Sequence, residues 1–241
     1  MAASGTDLDS EAVDALGLRV HYELARLGEE LQLDRRVAAL VGALIRQLGL
    51  DSGEPIRVVD VGCGLGHVLR AIAAGRDLPP SVELVGVDMN PVLTEEASRL
   101  ARVEDQDVRF ITGDAFTPGV AVDDGRRTIV VSTGLLHHFA AEQLVAFFAA
   151  QARLHVAAFA HRDIAPCFWS TLGAWIFHQA RMREPVSRHD GVLSARRAHP
   201  ADVLLEAALV GATSYDVEVR EGSRWHPRAL DVLRPIVGVR A

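Results

Sequence analysis

The stretch Arg57-Val58-Val59-Asp60-Val61-Gly62-Cys63-Gly64-Leu65-Gly66-His67 constrains the fold of this chain more than any other. An apolar run meets an acid, three glycines follow at alternate positions, and a helical pattern begins at Val68. Glycines at that spacing let the backbone turn sharply and let a ligand approach as any side chain would not. They also end a strand and open a helix, where unpaired backbone N–H groups point at whatever binds. A dinucleotide fingerprint needs glycine at its first, third and sixth positions, and the sixth here is His67. An acid ahead of the glycines suits a cationic ligand better than a pyrophosphate.

The rest of the chain is organised around that turn. From Ser10 to Leu50 apolar residues recur at three and four, broken near Gly28 and Asp34, which predicts two or three helices. Short apolar strands then alternate with helices: Ile56–Val61, Val82–Asp88, Val108–Thr112, Thr128–Thr133 and Val156–His161, with helices from Val68, Pro91 and Ala140. Strict alternation implies right-handed crossovers and a doubly wound α/β sheet. Beyond Asp163 an aromatic-rich helical segment runs to about Met182, followed by a polar loop from Glu184 to Asp190 and a helix near Pro200–Leu209. Two β-prone runs, Thr213–Val219 and Ile236–Val239, follow. Residues 1 to 50 read as an N-terminal helical cap, and 51 to 241 as the cofactor-binding domain with a substrate-covering insertion at about 164–210.

Ligands of open α/β sheets bind at the carboxyl ends of the strands, and here those ends carry acids. Asp88 closes the second strand and can accept both hydroxyls of a ribose. Asp114 follows the third and is placed to accept from an adenine amine, while Met89 can pack on the ring face and Asp60 can take an ammonium. Singly, Asp88 or Asp114 reads equally well as a helix N-cap. Cys63 reads as a small residue filling the turn rather than a nucleophile. Jointly, the acids match a ligand with an amine, a diol and an adenine.

The pattern Asp60-x-Gly62-x-Gly64-x-Gly66, with Asp88 and Asp114-Ala115, resembles the class I S-adenosylmethionine-dependent methyltransferases over about Pro55 to Asp163. That resemblance implies a mostly parallel seven-stranded sheet of Rossmann-like methyltransferase fold, its last two runs forming an antiparallel hairpin. It implies S-adenosylmethionine as cofactor, held by Asp60, Gly62, Cys63, Gly64, Gly66, Asp88, Met89, Asn90, Asp114, Ala115, Ser132 and Thr133. Many relatives carry Ser or Thr where Leu65 stands, and a glycine-rich turn where Leu154 runs into His155-Val156.

The same resemblance narrows the acceptor. Amino-methylating nucleic-acid enzymes carry a Pro-Pro-aromatic motif after the fourth strand, where this chain reads Ser132-Thr133-Gly134-Leu135-Leu136. No cysteine stands on that loop, and Ser132 replaces the metal-binding Asp of catechol methyltransferases, so the expected site is metal-free. A net charge of −7, with every basic residue an Arg, argues against a nucleic-acid footprint. Two cysteines outside any CxxC pair, no signal peptide and no bilayer-length apolar run predict a cytoplasmic monomer or homodimer acting on a small molecule. His137 and His138, following the fourth strand, are the candidate general bases. His21 and Tyr22 on the cap, Trp169 in the aromatic segment and His189 in the polar loop are candidate substrate contacts. The Arg188-His189-Asp190-Gly191 segment with Arg196-Arg197 faintly resembles methyltransferases encoded beside polyketide synthases, which points to hydroxyl methylation of an aromatic or polyketide-like compound. Carbon methylation of such an acceptor is the second reading, and cofactor binding without methyl transfer a third.

Overall fold

A computed structural model describes residues 9–50, 53–122, 125–166, 172, 176, 178–220 and 233–241. Its centre is a seven-stranded sheet: β1 (Ile56–Val61), β2 (Val82–Asp88), β3 (Val108–Thr112), β4 (Arg127–Thr133), β5 (Ala158–Ile164), β6 (Tyr215–Val219) and β7 (Leu233–Arg240). The spatial order is β3-β2-β1-β4-β5-β7-β6, and β7 alone runs opposite to the other six strands. β1 is flanked by β2 and β4, so the strand order reverses beside it and the crevice of the sheet opens above Val61.

The helices include α1 (Ser10–Glu30), α2 (Leu33–Gln47), α3 (His67–Gly75), α4 (Pro91–Val103), the short α5 (Gly119–Val122), α6 (Ala141–Arg153), α7 (Pro185–Arg197) and α8 (Ala201–Gly211), with a 3-10 turn over Leu136–His138. Strand alternation sorts the core into two layers. Ile56, Val58, Ile129, Val131 and Ala158 face α2 and α3, packing on Val41, Leu44, Ile45 and Leu69. Val59, Val61, Val130 and Phe159 face the other way, onto Phe147 and Phe148 of α6 and Leu204 of α8. Every residue of β1 is buried, Arg57 and Asp60 included, as expected of a central parallel strand. Arg57 is tolerated there because its guanidinium donates to Glu83 Oε2 at 2.8 Å and to the Ala121 carbonyl at 3.0 Å.

The fifth strand begins two residues later than its apolar pattern suggests and continues through Ile164. Val156 and Ala157 stay outside the strand, following a turn at Leu154 and His155 in which His155 adopts a left-handed φ of 53°. The segment read as a polar loop, Glu184 to Asp190, is the start of α7, with Pro185 preset for the first helical turn. α1 and α2 also part company: α2 is buried against α3 and the sheet, whereas α1 lies over the crevice.

Candidate functional site

The glycine turn is fastened from beneath by the strand beside it. Gly62 and Cys63 N–H both donate to the Val87 carbonyl, at 2.7 and 3.1 Å, and Gly66 N–H donates to the Cys63 carbonyl at 2.8 Å. Gly62, Gly64 and Gly66 have φ values of 73°, 53° and 65°, in the left-handed region. Gly66 also meets a packing limit, since a Cβ there would lie 2.1 Å from the Phe110 ring. Phe110 reaches the turn over Gly86, where a Cβ would lie 2.5 Å from the same ring. A lone glycine inside the apolar run of β2 was the available sign of that close approach.

Asp88 completes the turn. Its Oδ2 accepts Gly64 N–H and its Oδ1 accepts Asn90 N–H, each at 2.9 Å. A carboxylate oxygen has two lone pairs, so both oxygens can still accept from a diol. Asp60 lies nearby on β1. Burial, and then the neighbouring Asp88 charge, push its carboxyl pKa up to about 7. The same causes, burial first and then Asp60 and Asp88, push the Cys63 thiol up, so it stays protonated and unreactive.

These groups line one cavity of about 520 Å³ at the carboxyl ends of the central strands. Asp60, Gly62, Cys63, Gly64 and Asp88 form its floor, Met89 and Asp114-Ala115 one side, and Thr133 another. Met89 is 81 % exposed at the mouth, free to pack on a bound ring. Asp114 is fixed by Phe116 N–H, which donates to its Oδ1 at 2.9 Å. A larger depression of about 620 Å³ lies at the opposite end of the strands, among Arg127, Arg153 and Arg240, and holds none of the candidate residues.

The two adjacent histidines take different places. His138 lines the cavity, while His137 is buried behind it with the ring centroids 4.2 Å apart. Burial, and then the neighbouring His137, lower the pKa of His138, so it is neutral at neutral pH and able to accept a proton. His137 is held by Asp163 of β5, whose Oδ1 lies 2.8 Å from the imidazole Nδ1 and whose Oδ2 accepts the His137 backbone N–H at 3.1 Å. Sequence reasoning missed Asp163, although it follows His161 by two residues on a strand and therefore shares its face.

Several expected contacts lie elsewhere. Ser132 is fully buried on the α6 face, its hydroxyl 2.9 Å from His161 Nδ1, because alternation along β4 turns it away from the cavity that Thr133 meets. Gln151 occupies the other nitrogen of His161, and burial drives that imidazole to a pKa of about 3. Asn90 caps α4 through its Oδ1, which accepts Val92 N–H at 2.9 Å. Gly66 shapes the turn from beneath rather than lining the cavity. Tyr22 points to α4, its hydroxyl bonded to Glu96, and His189 is exposed on α7. Trp169 lies outside the described residues.

His21 does line the cavity. Its Nδ1 donates to the Gly17 carbonyl at 2.9 Å, and a Cβ on Gly64 would lie 3.1 Å from its ring. His67, read as a helix-start residue, lines the cavity too, with a buried Nε2 that has no hydrogen-bond partner among the described residues. Among the described residues no group of three or more His, Cys, Asp or Glu is placed to hold a metal ion, and no helix is long and apolar enough to cross a membrane.

Residues 58–156 match the family model described as a methyltransferase domain. No curated protein matches the sequence. Among solved structures, the fold is similar to the plantazolicin methyltransferase in complex with a triazolic desmethyl analogue and S-adenosylhomocysteine, at TM-score 0.65 and 13 % identity, over 96 % of this chain and 99 % of that one. A putative O-methyltransferase from Nostoc punctiforme PCC 73102 gives TM-score 0.59 at 18 % identity over 92 % of this chain, which spans only 60 % of that protein's length. Magnesium protoporphyrin IX methyltransferase from Synechocystis PCC 6803, with bound S-adenosylhomocysteine, gives TM-score 0.55 at 17 % identity over 89 % of this chain and 87 % of that one.

Proposed function

We propose that this chain, whose residues 58–156 match a methyltransferase-domain model, is a class I enzyme that transfers the methyl group of S-adenosylmethionine to a small, fairly hydrophobic acceptor. The observation that carries this reading is one cavity joining two devices: the Asp88-fastened glycine turn and the His138 imidazole backed by His137 and Asp163. The residues suit the cofactor. Asp88 retains lone pairs for a diol, the turn leaves no Cβ in the way, and the ionised form of Asp60 matches an ammonium. Asp114 and Ala115 stand where the adenine would lie, with Met89 at the ring face. Bound there, S-adenosylmethionine supplies an electrophilic methyl carbon.

The chain's own residues then have two tasks. Phe116, Leu135 and Phe139 line the cavity beside His138 and give it an apolar wall against which a hydrophobic acceptor can pack. Neutral His138 accepts the acceptor's proton, while Asp163 orients His137 against it. A base is needed where the acceptor is a hydroxyl of phenolic or enolic acidity, which is the reading we favour. A carbon acid flanked by carbonyls is the second reading, because the same base serves it.

The test is incubation with isotopically labelled cofactor and a panel of phenols, enols and polyketide-like carbon acids, with label position read by mass spectrometry and NMR. Label on oxygen supports the favoured reading and label on carbon the second. Tight S-adenosylhomocysteine binding with no label moved to any acceptor would leave a cofactor-binding protein that does not transfer methyl.

A further inference from the structure

α1 shows three faces to three different neighbours. His21, Leu24, Ala25 and Gly28 recur at helical spacing and line the cofactor cavity. Gly28 allows this close seating, as a Cβ there would lie 3.1 Å from the His67 ring. Tyr22 turns toward α4 through its bond to Glu96. Arg19, Glu23, Arg26 and Glu30, also at three-and-four spacing, form the side opposite the cavity. All four of these residues are engaged by one short corner ahead of α7. Arg19 Nε donates to Glu184 Oε1 at 2.7 Å, Arg26 donates to the Arg181 carbonyl, and Arg181 donates to Glu30. Glu23 is the buried member. Its Oε1 accepts Arg183 N–H at 2.6 Å, and its two oxygens accept Glu184 N–H at 3.2 and 3.3 Å.

α1 is therefore sandwiched between the glycine turn and the 181–184 corner, so it cannot lift from the cavity while that corner holds it. Exposed pairs such as Arg19–Glu184 contribute little. A buried carboxylate on backbone N–H groups, next to a helix N-terminus, is a stronger fastening. The corner leads straight into α7, which packs against the 3-10 turn Leu136–His138 and places Asp190 where its charge is felt by His138. Just past α7, His199 Nε2 donates to the Phe139 carbonyl at 2.9 Å.

We propose that Glu23 is a positioning residue that clasps α1 over the cofactor cleft and ties occupancy of that cleft to the seating of α7 beside His137 and His138. The inference rests on the cofactor reading given above. Opening α1 to exchange cofactor breaks the Glu23 bonds, frees residues 183–184, and loosens the start of α7. Cofactor exchange and acceptor-side order then become one event rather than two.

Hydrogen exchange on the intact protein, with S-adenosylhomocysteine as the probe, tests this. In the wild type the probe should slow exchange in residues 17–28 and also in residues 183–190, which do not line the cavity. In Glu23→Gln, which keeps the side-chain size and loses the charge, protection of the glycine turn should persist while that of 183–190 is lost. The probe's dissociation rate should rise about tenfold or more, since weakening of a complex is carried mainly by dissociation. Protection confined to 17–28 in the wild type overturns the clasp without any variant, and so does an unchanged dissociation rate in a folded Glu23→Gln protein. Failure of the wild type to bind S-adenosylhomocysteine would instead overturn the cofactor reading, so the two failures are distinguishable.

Discussion

Asp163 holds His137 at two points, with Oδ1 2.8 Å from the imidazole Nδ1 and Oδ2 3.1 Å from the backbone nitrogen. A carboxylate at Nδ1 fixes the orientation of the ring, while the backbone bond fixes where the 3-10 turn starts. The 4.2 Å contact between the two imidazoles carries that order to His138 in the cavity.

Asp163→Asn should therefore lower kcat by about 10²- to 10⁴-fold, the usual worth of a positioned acid or base. His138→Ala should fall in the same range, and neither should change S-adenosylhomocysteine affinity appreciably. Steady-state turnover and calorimetric titration check this together. Full turnover in a folded Asp163→Asn protein would remove the imidazole pair from the chemistry.

Asp88→Ala removes two charge-assisted bonds to Gly64 and Asn90 as well as the proposed diol contact. Each such bond is worth roughly 1.5–3 kcal/mol, so affinity for S-adenosylhomocysteine should drop by about a hundredfold or more. Unaltered binding in that variant would overturn the site assignment.

Gly66→Ala combines a left-handed φ of 65° with a Cβ 2.1 Å from Phe110. Gly125→Ala is the matched control, with φ 77° and nothing within 4 Å of the added carbon. The control should cost about 1 kcal/mol in urea unfolding and Gly66→Ala at least ~2 kcal/mol, the difference reporting the clash. Equal losses would show that Phe110 gives way freely.

Asp60 sets a pH dependence of definite sign. Its pKa is about 7 in the folded chain against an ordinary carboxyl value of 3.8. Between those values the native state holds a proton that the unfolded state has lost, so this group's contribution to stability falls as pH rises from about 4 to 7, and is flat above. Asp60→Asn should flatten that part of the wild-type melting profile. If Asp60 takes the cofactor ammonium, affinity rises with pH up to about 7, and binding near pH 6 releases a proton. Calorimetry in buffers of different ionisation enthalpy measures that release, and parallel profiles for wild type and Asp60→Asn would contradict it.

The strands and the turn were legible because their causes are local. Apolar β-branched runs, alternate glycines and acids at strand ends each act within a few residues, and β1, β2 and β3 fall where their patterns predict. Ser132 departs from its expected place at the cofactor because alternation along β4 gives Ser132 and Thr133 to opposite faces. His189 was misplaced because polarity resembled a loop, whereas Pro185 starts a helix and exposes that side chain.

By itself, then, the sequence determined the alternating sheet, the turn at Gly62 to Gly66 and the acids around it, all consequences of short-range backbone and patterning rules. Tertiary structure alone decided which side chains meet. Asp163 reaches His137 only because β5 pairs with β4 in register, and Phe110 reaches Gly66 only because β3 lies beside β2. Glu23 meets the corner before α7 because α1 crosses the cleft with that side turned outward. Such meetings depend on strand register and helix seating between distant segments, and no local pattern records them.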